Sequence, residues 1–245
     1  MTNTKQALLS IMLFSSSTGT FATDAANSEK ALKQTITNAI ERFEQTQLSD
    51  WSHQISRYEN EEGDVTSSVE RYTADKPESE RWTLITRNGE QVTEKQQRAF
   101  RKKKLDQDNN VNISLDLNQL IVNDSLRLQR ETQNTIIASF DVYFEQLGKT
   151  ASEHLSGTLL YSKSDAFIET INIVNNEPFS PMLAATLDDL SLTLTFTLQE
   201  DFVLPHRIDF QMQGRFAIFS EIDEVSTDEY TDFIYIGDAR VTQQK

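Results

Sequence analysis

Histidine and acidic side chains are the groups in this sequence that could do acid–base or metal chemistry, but their spacing does not predict a site for either. His53, His154 and His206 are far apart and form neither a His-x-His nor a His-Glu-x-x-His pattern. The chain has no cysteine nucleophile, and it contains no Gly-x-Ser-x-Gly elbow, phosphate-binding loop or dinucleotide-binding glycine pattern. The acidic residues at 188–189 and 221–224 are typical of solvated turns. We therefore expect no catalytic residue, no metal and no cofactor, and we do not expect an enzyme.

A cluster of five basic residues is unusual in a chain with a formal net charge of −15. It lies within residues 93–105, which have the composition of a helix, and it consists of Arg98, Arg101, Lys102, Lys103 and Lys104. One interpretation is a solvated helix end, where the helix dipole favours cations. The other is a docking site for an anionic headgroup or an acidic protein partner. The sequence leaves both interpretations open.

Aromatic side chains supply the other candidate site. Six of them fall on or near the inward faces of predicted strands: Trp82, Phe140, Phe144, Phe196, Phe210 and Phe216. Such residues form an ordinary core in most proteins. If the sheet is long, curved and incompletely covered, however, the same residues would line an apolar cleft that holds an acyl chain by burial alone.

The strands that must position these aromatics are clearest between Leu190 and Phe219. Residues 191–198 alternate apolar and hydroxyl side chains, and residues 208–218 repeat the alternation, which predicts two long antiparallel strands with one buried face each. Residues 199–206 contain Pro205 and an acidic start, and they are predicted to be a connection. Strands of this length favour a large curved sheet over a compact sandwich.

The rest of the chain predicts further strands and a few helices. Residues 27–48 carry one apolar stripe and form an amphipathic helix that lies on the sheet. Three antiparallel strands follow between Trp51 and Arg87. Other strands are predicted at 126–130, 136–144, 157–161, 166–174 and 229–236, with an acidic turn at 221–228 before the last one. The fold class is therefore mainly β with α (α+β), with a curved antiparallel half-barrel sheet covered by helices.

The N-terminus predicts export. Lys5, an apolar run at 7–14 and small residues ending at Ala22 follow the order of a secretory signal peptide. We expect residues 1–22 to be this peptide and residues 23–245 to be one periplasmic domain. No other run has transmembrane length, and the acidic balance disfavours binding to nucleic-acid phosphates.

One stretch carries a resemblance to a known family. Residues 155–161, 166–174 and 177–181 resemble a group of uncharacterised secreted proteobacterial proteins, in which a Leu-x-Gly-Thr-Leu strand precedes another strand and a Pro-Phe-Ser-Pro turn. The order of elements is similar to the lipoprotein-localisation-factor (LolA/LolB-like) fold. The resemblance implies a half-barrel and a helical lid around an apolar cavity for lipoprotein acyl chains.

Together these observations give a leading function and an alternative. The first is a soluble, non-enzymatic periplasmic protein that binds a lipid, an acyl chain or a lipidated partner. The alternative is a structural or interaction protein with a filled core that docks on a protein complex of the cell envelope.

Overall fold

The computed structural model describes residues 20–108, 116–145, 147–181, 185–217 and 220–237. Most of the predicted signal peptide lies outside these residues, and it stays a prediction. The described helices are α1 (Thr20–Glu44), α2 (Glu94–Asp108), α3 (Leu117–Leu120) and α4 (Gly148–Ser152). Two short 3-10 turns, Leu48–Asp50 and Glu78–Glu80, precede strands of the sheet.

In the described part of the chain, eleven strands form one antiparallel sheet that does not close into a barrel. They are β1 (Trp51–Glu61), β2 (Asp64–Tyr72), β3 (Trp82–Arg87), β4 (Glu90–Gln91), β5 (Ile121–Glu131), β6 (Thr135–Val142), β7 (Leu155–Ser162), β8 (Phe167–Asn175), β9 (Ala185–Gln199), β10 (Phe202–Phe216) and β11 (Ser220–Tyr235). These elements confirm a mainly antiparallel β protein with a few helices.

The strand order is β4-β3-β2-β1-β11-β10-β9-β8-β7-β6-β5. Strands that pair in the sheet are therefore consecutive in the sequence, except where β1 pairs with β11. This pairing joins the first and last strands in the interior of the sheet and leaves β4 and β5 at its edges. The four N-terminal strands and the seven C-terminal strands thus belong to one continuous sheet.

The core lies between α1 and the strands β5 to β10. The apolar stripe of α1, which includes Leu32, Ile36 and Ile40, is buried against the alternating apolar residues of the strands. Phe43 of α1 meets Phe196 of β9 with ring centroids 5.0 Å apart in an edge-on arrangement. The amphipathic helix predicted on the sheet is therefore confirmed.

Gly157 shows how tightly this core is packed. It lies directly opposite Phe140 in the β6–β7 pair. A Cβ atom at position 157 would overlap the Phe140 ring, so that the ring covers the glycine and a larger residue would displace it.

Two predicted connections are wrong. Residues 199–206 contain only a tight turn at Glu200 and Asp201, with Glu200 at φ 55°, and β10 begins at Phe202. Pro205 is accommodated because a register irregularity interrupts the β9–β10 pairing beside it. The predicted acidic turn at 221–228 belongs to β11, where pairing with β10 and β1 outweighs the turn composition.

Packing under α1 predicts very different costs for two Phe→Ala substitutions. Phe196 is 5% exposed and Phe216 is 48% exposed. We expect Phe196→Ala to lower the free energy of unfolding by roughly 3–5 kcal/mol, because burial is lost and a cavity is left. Phe216→Ala, the matched control, should change it by less than about 0.5 kcal/mol. Urea denaturation measures both, and equally small losses would mean that the region under α1 is loosely packed.

Candidate functional site

The register of the first strands and β11 brings one group of side chains together. Directly opposite residues in an antiparallel pair project from the same face. Three rows result: His53–Tyr72–Trp82, Tyr230–Ile55–Glu70–Leu84 and Asp228–Arg57–Ser68. Asp228 also lies opposite Ile208 of β10, whose side chain packs against the core under α1. These rows therefore project from the face that α1 covers further along the sheet.

Helix α2 lies over β3 beside these rows. Gln97 accepts a hydrogen bond from the Leu84 amide at 3.0 Å, and Arg101 Nε donates to the Trp82 carbonyl at 3.1 Å. Lys104 Nζ lies 4.3 Å from the centroid of the Trp82 ring. Since positions 97, 101 and 104 share one side of a helix, polar side chains hold α2 to the sheet.

Between α2 and the sheet is a cavity of about 400 Å³, which we call the α2 pocket. Its volume is within the range of small-molecule sites, about 300–1,000 Å³. Aliphatic and aromatic side chains form much of the wall, and three cations and one carboxylate also contribute. The lining residues are Leu48, Ser49, His53, Ile55, Arg57, Tyr72, Glu78, Arg81, Trp82, Lys104 and Tyr230.

His53 is the buried histidine of this pocket. Its ring centroid is 5.2 Å from that of Tyr72 and 6.1 Å from that of Trp82, and its Nδ1 lies 3.0 Å from the carbonyl oxygen of Trp51. Because a carbonyl only accepts, Nδ1 carries the proton. Burial lowers the pKa of His53 to about 4, the positive charge of Lys104 contributes, and the Trp51 hydrogen bond opposes the shift. His53 is therefore a neutral part of the wall near neutral pH.

Arg57 and Asp228 form a two-pronged ion pair across the β1–β11 pairing. Nε and Nη2 of Arg57 each donate to one carboxylate oxygen at 2.8 Å. Burial alone would lower the pKa of Arg57, but Asp228, with contributions from Glu70 and Tyr230, outweighs the burial and the pKa is raised. Burial raises the pKa of Asp228 while Arg57 opposes that rise. The bidentate geometry favours the ionised form of both groups.

Tyr230, beside this ion pair, provides a hydroxyl to the pocket wall. Burial, with a contribution from Asp228, raises the pKa of Tyr230 to about 12. Its hydroxyl is therefore protonated and able to donate.

Glu70 and Lys104 form a second ion pair, between β2 and α2. Nζ lies 2.8 Å from Oε2, and the side chains are 14% and 6% exposed for Lys104 and Glu70. The other oxygen of Glu70 accepts from the Ser68 hydroxyl at 3.2 Å. Among the described residues, Oε2 has no aligned hydrogen bond, so its contact with the ammonium is an ion pair that joins α2 to β2.

The six predicted aromatics are not gathered in one cleft. Phe140 and Phe196 are buried under α1, and Phe144 and Phe210 pack half-buried against the same cluster. Trp82 lies apart from them in the α2 pocket. Phe216 is exposed near the end of β10. Their role in ligand binding stays a prediction.

The predicted basic cluster divides between two sides of α2. Arg101 and Lys104 are half-buried and contact the sheet, whereas Arg98, Lys102 and Lys103 are exposed. Arg98 lies 3.5 Å from Glu94 on the same helix. Two of the five cations therefore attach the helix, and three face outward.

Sequence reasoning missed most of the pocket. The strands predicted between Trp51 and Arg87 include His53, Ile55 and Arg57, but the pattern gave no sign of the partners of these residues. Asp228 was assigned to a turn, and its pairing with Arg57 was hidden by that assignment. A two-residue repeat extended back from Tyr230 would have placed Asp228 on the strand.

Within the described ranges, no three histidine, cysteine or acidic side chains are grouped so as to hold a metal ion. No helix of the described part of the chain is long and apolar enough to cross a membrane.

The fold consists of an open antiparallel sheet with α1 and α2 on one face. No protein-family model matches the sequence, and no curated protein matches it. Among solved structures, the chain is similar to a crystal structure of a DUF1329 family protein from Desulfovibrio piger. The sequences are 11% identical, the match covers 84% of this chain and 92% of that chain, and the TM-score is 0.35. A likeness at this level assigns neither a family nor a function.

The environment of His53 predicts a pH-dependent stability. The pKa of His53 is about 4 in the folded protein and its ordinary value is 6.5, so the unfolded chain takes up a proton first as the pH falls. The stability that depends on neutral His53 is complete above pH 6.5 and is lost as the pH falls toward 4. The loss amounts to about 3 kcal/mol at most.

His53→Phe removes this titration and keeps an aromatic ring in the wall. We expect the difference in unfolding free energy between wild type and variant to shift in favour of the variant below pH 6.5. At mildly alkaline pH, histidine is neutral in both states, so the difference there reports packing alone. Urea denaturation across this range tests the prediction, and a difference that does not change with pH would contradict a buried neutral His53.

Proposed function

We propose that the protein is a non-enzymatic binding protein for a lipid or another ligand with an acyl chain, and that the chain is held in the α2 pocket. The observation that carries this proposal is the cavity of about 400 Å³, whose walls include Leu48, Ile55, Tyr72 and Trp82. Burying apolar surface contributes about 25 cal/mol per Å². An alkyl chain against these walls would therefore bind without any reacting group.

The partners of the ionisable groups support binding over catalysis. Arg57 is paired with Asp228, and Lys104 is paired with Glu70. His53 donates to a backbone carbonyl and stays neutral. A general acid or base needs a proton-transfer partner within hydrogen-bond reach of the substrate, and each of these groups already has a structural partner.

The likeness to lipoprotein carriers belongs to the same proposal. An open sheet with helices on one face is the arrangement that a LolA-like half-barrel carrier requires. In this chain α1 fills the space over β5 to β10, so we place the ligand on the α2 side. Export to the periplasm through the predicted signal peptide is part of this proposal.

Acyl ligands should stabilise the protein by occupying the pocket. With decanoate at a hundredfold excess over its dissociation constant, we expect about 2.7 kcal/mol of added stability. Leu48→Trp should abolish this effect, because a larger side chain fills the cavity from its wall. Leu128→Trp is the matched control, since Leu128 is 42% exposed on the edge strand β5. Calorimetric titration and thermal unfolding measure these effects, and a wild type that responds to no acyl ligand would refute the proposal.

A second candidate function is docking on an anionic surface through the outward side of α2. It is favoured by the exposure of Arg98, Lys102 and Lys103 on one helix of an acidic protein. The docking interpretation predicts binding that weakens with salt, since exposed charges are screened over about 8–10 Å at physiological ionic strength.

Changing Arg98, Lys102 and Lys103 together to Gln should weaken co-sedimentation with anionic phospholipid vesicles and with envelope membranes. Thermal stability should remain nearly the same, because exposed charges contribute little to folding. The matched control changes three dispersed exposed cations, Arg87, Arg130 and Lys149, to Gln. Equal binding by the two triple variants would mean that α2 is an ordinary solvated helix.

A further inference from the structure

Arg81 differs from the other cations of the α2 pocket in its partners. Its Nε donates to the backbone carbonyl of Lys76 at 3.1 Å. No carboxylate of the described residues lies within ion-pair distance of its guanidinium, although Arg57 and Lys104 each have such a partner. The two terminal nitrogens of Arg81 thus have no partner from this part of the chain.

The backbone around Arg81 fixes where the guanidinium lies. Arg81 follows the 3-10 turn Glu78–Glu80, and its carbonyl accepts from the Thr73 amide at 2.9 Å. Hydrogen bonds therefore hold both the backbone of Arg81 and the Nε of its guanidinium. A guanidinium anchored through Nε presents Nη1 and Nη2 as a pair of parallel donors, which is the geometry that matches a carboxylate.

Lys104 and Tyr230 provide further hydrogen-bond donors in the wall. Lys104 retains N–H groups beyond its contact with Glu70. The Tyr230 hydroxyl accepts and donates no hydrogen bond among the described residues. Glu78 also lines the pocket, while Glu70 and Asp228 are paired with Lys104 and Arg57.

We propose that the α2 pocket binds a monoanionic amphiphile, with a carboxylate head on Arg81 and an alkyl chain against the aromatic and aliphatic wall. This inference rests on the proposed function and specifies its ligand class. A single negative charge suits the site, because Arg57 and Lys104 are paired with Asp228 and Glu70, whereas no carboxylate of the described residues lies within ion-pair distance of Arg81. A doubly charged phosphate would face repulsion from these carboxylates.

Four ligands with the same ten-carbon chain test the head group: decanoate, decanol, decyl phosphate and decyltrimethylammonium. Calorimetric titration of the full chain gives each affinity. We expect decanoate to bind tightest. Its affinity should fall as the salt concentration rises, whereas the affinity of uncharged decanol should not. Tighter binding of decyl phosphate or of decyltrimethylammonium than of decanoate would overturn the carboxylate assignment.

Substitution at Arg81 identifies the contact. We expect Arg81→Gln to weaken decanoate binding by about tenfold or more, because hydrogen bonds to a charged group are lost. Decanol binding should be nearly unchanged. Arg87→Gln, an exposed position on β3 outside the pocket, removes the same charge and should leave both affinities unchanged. Arg81→Lys keeps the charge but loses the paired donors, so its decanoate affinity should lie between those of wild type and Arg81→Gln.

The two proposals fail in different ways. If wild type binds neither decanoate nor decanol, the lipid-binding function itself is wrong. If it binds both equally well and Arg81→Gln changes neither affinity, the pocket binds chains without recognising the head, and only the inference about Arg81 is wrong. Thermal unfolding of Arg81→Gln, expected to match wild type without ligand, excludes misfolding as the cause of a lost affinity.

Discussion

The pairing of β1 with β11 is the constraint on which the rest of the structure depends. It runs from Trp51 opposite Tyr235 to Glu61 opposite Glu224. The two strands that it joins are far apart in the sequence. Without it, β1 to β4 would form a small separate sheet. The ion pair of Arg57 and Asp228 crosses this junction. Because Tyr230 comes from β11 and the other strand residues of the α2 pocket come from β1 to β3, the pocket exists only when this pairing is formed.

The composition of one row of the sheet explains why the two long helices are held differently. Leu194, Ile208, Asp228 and Arg57 follow one another across neighbouring strands on the same face. On the apolar side, α1 is held by burial of its stripe. On the charged side, α2 is held by Gln97, Arg101 and Lys104, whose alkyl stems cover the surface while their polar ends find partners. The hydrophobic effect thus stabilises the packing of α1 more strongly than that of α2. Part of the apolar wall under α2 is left uncovered.

How far the sequence predicts the structure can be seen from particular elements. The alternation of residues 191–198 and the stripe of α1 were sufficient to predict β9 and the helix that covers it. Pro205 and the acidic run at 221–228 led to wrong predictions of a connection and a turn. They are local turn signals, and pairing with neighbouring strands overrides them. Trp82 and Lys104 were each singled out, but not their contact, since it depends on the register of β3 and on the position of α2. Arg81 gave no periodic signal at all, because it lies between a 3-10 turn and a strand.

The charged residues of the α2 pocket explain how it keeps its shape. Buried ion pairs seldom stabilise a fold more than well-packed apolar residues of the same size would, and here Arg57 and Asp228 continue a row that is apolar on the α1 side. What these pairs do fix is distance: Arg57 joins β1 to β11, and Lys104 joins α2 to β2 at 2.8 Å. Apolar replacements would allow α2 to collapse onto Trp82 and fill the space. A cavity whose walls are fixed in this way needs little rearrangement when a ligand enters, and less reorganisation leaves more of the interaction free energy for affinity.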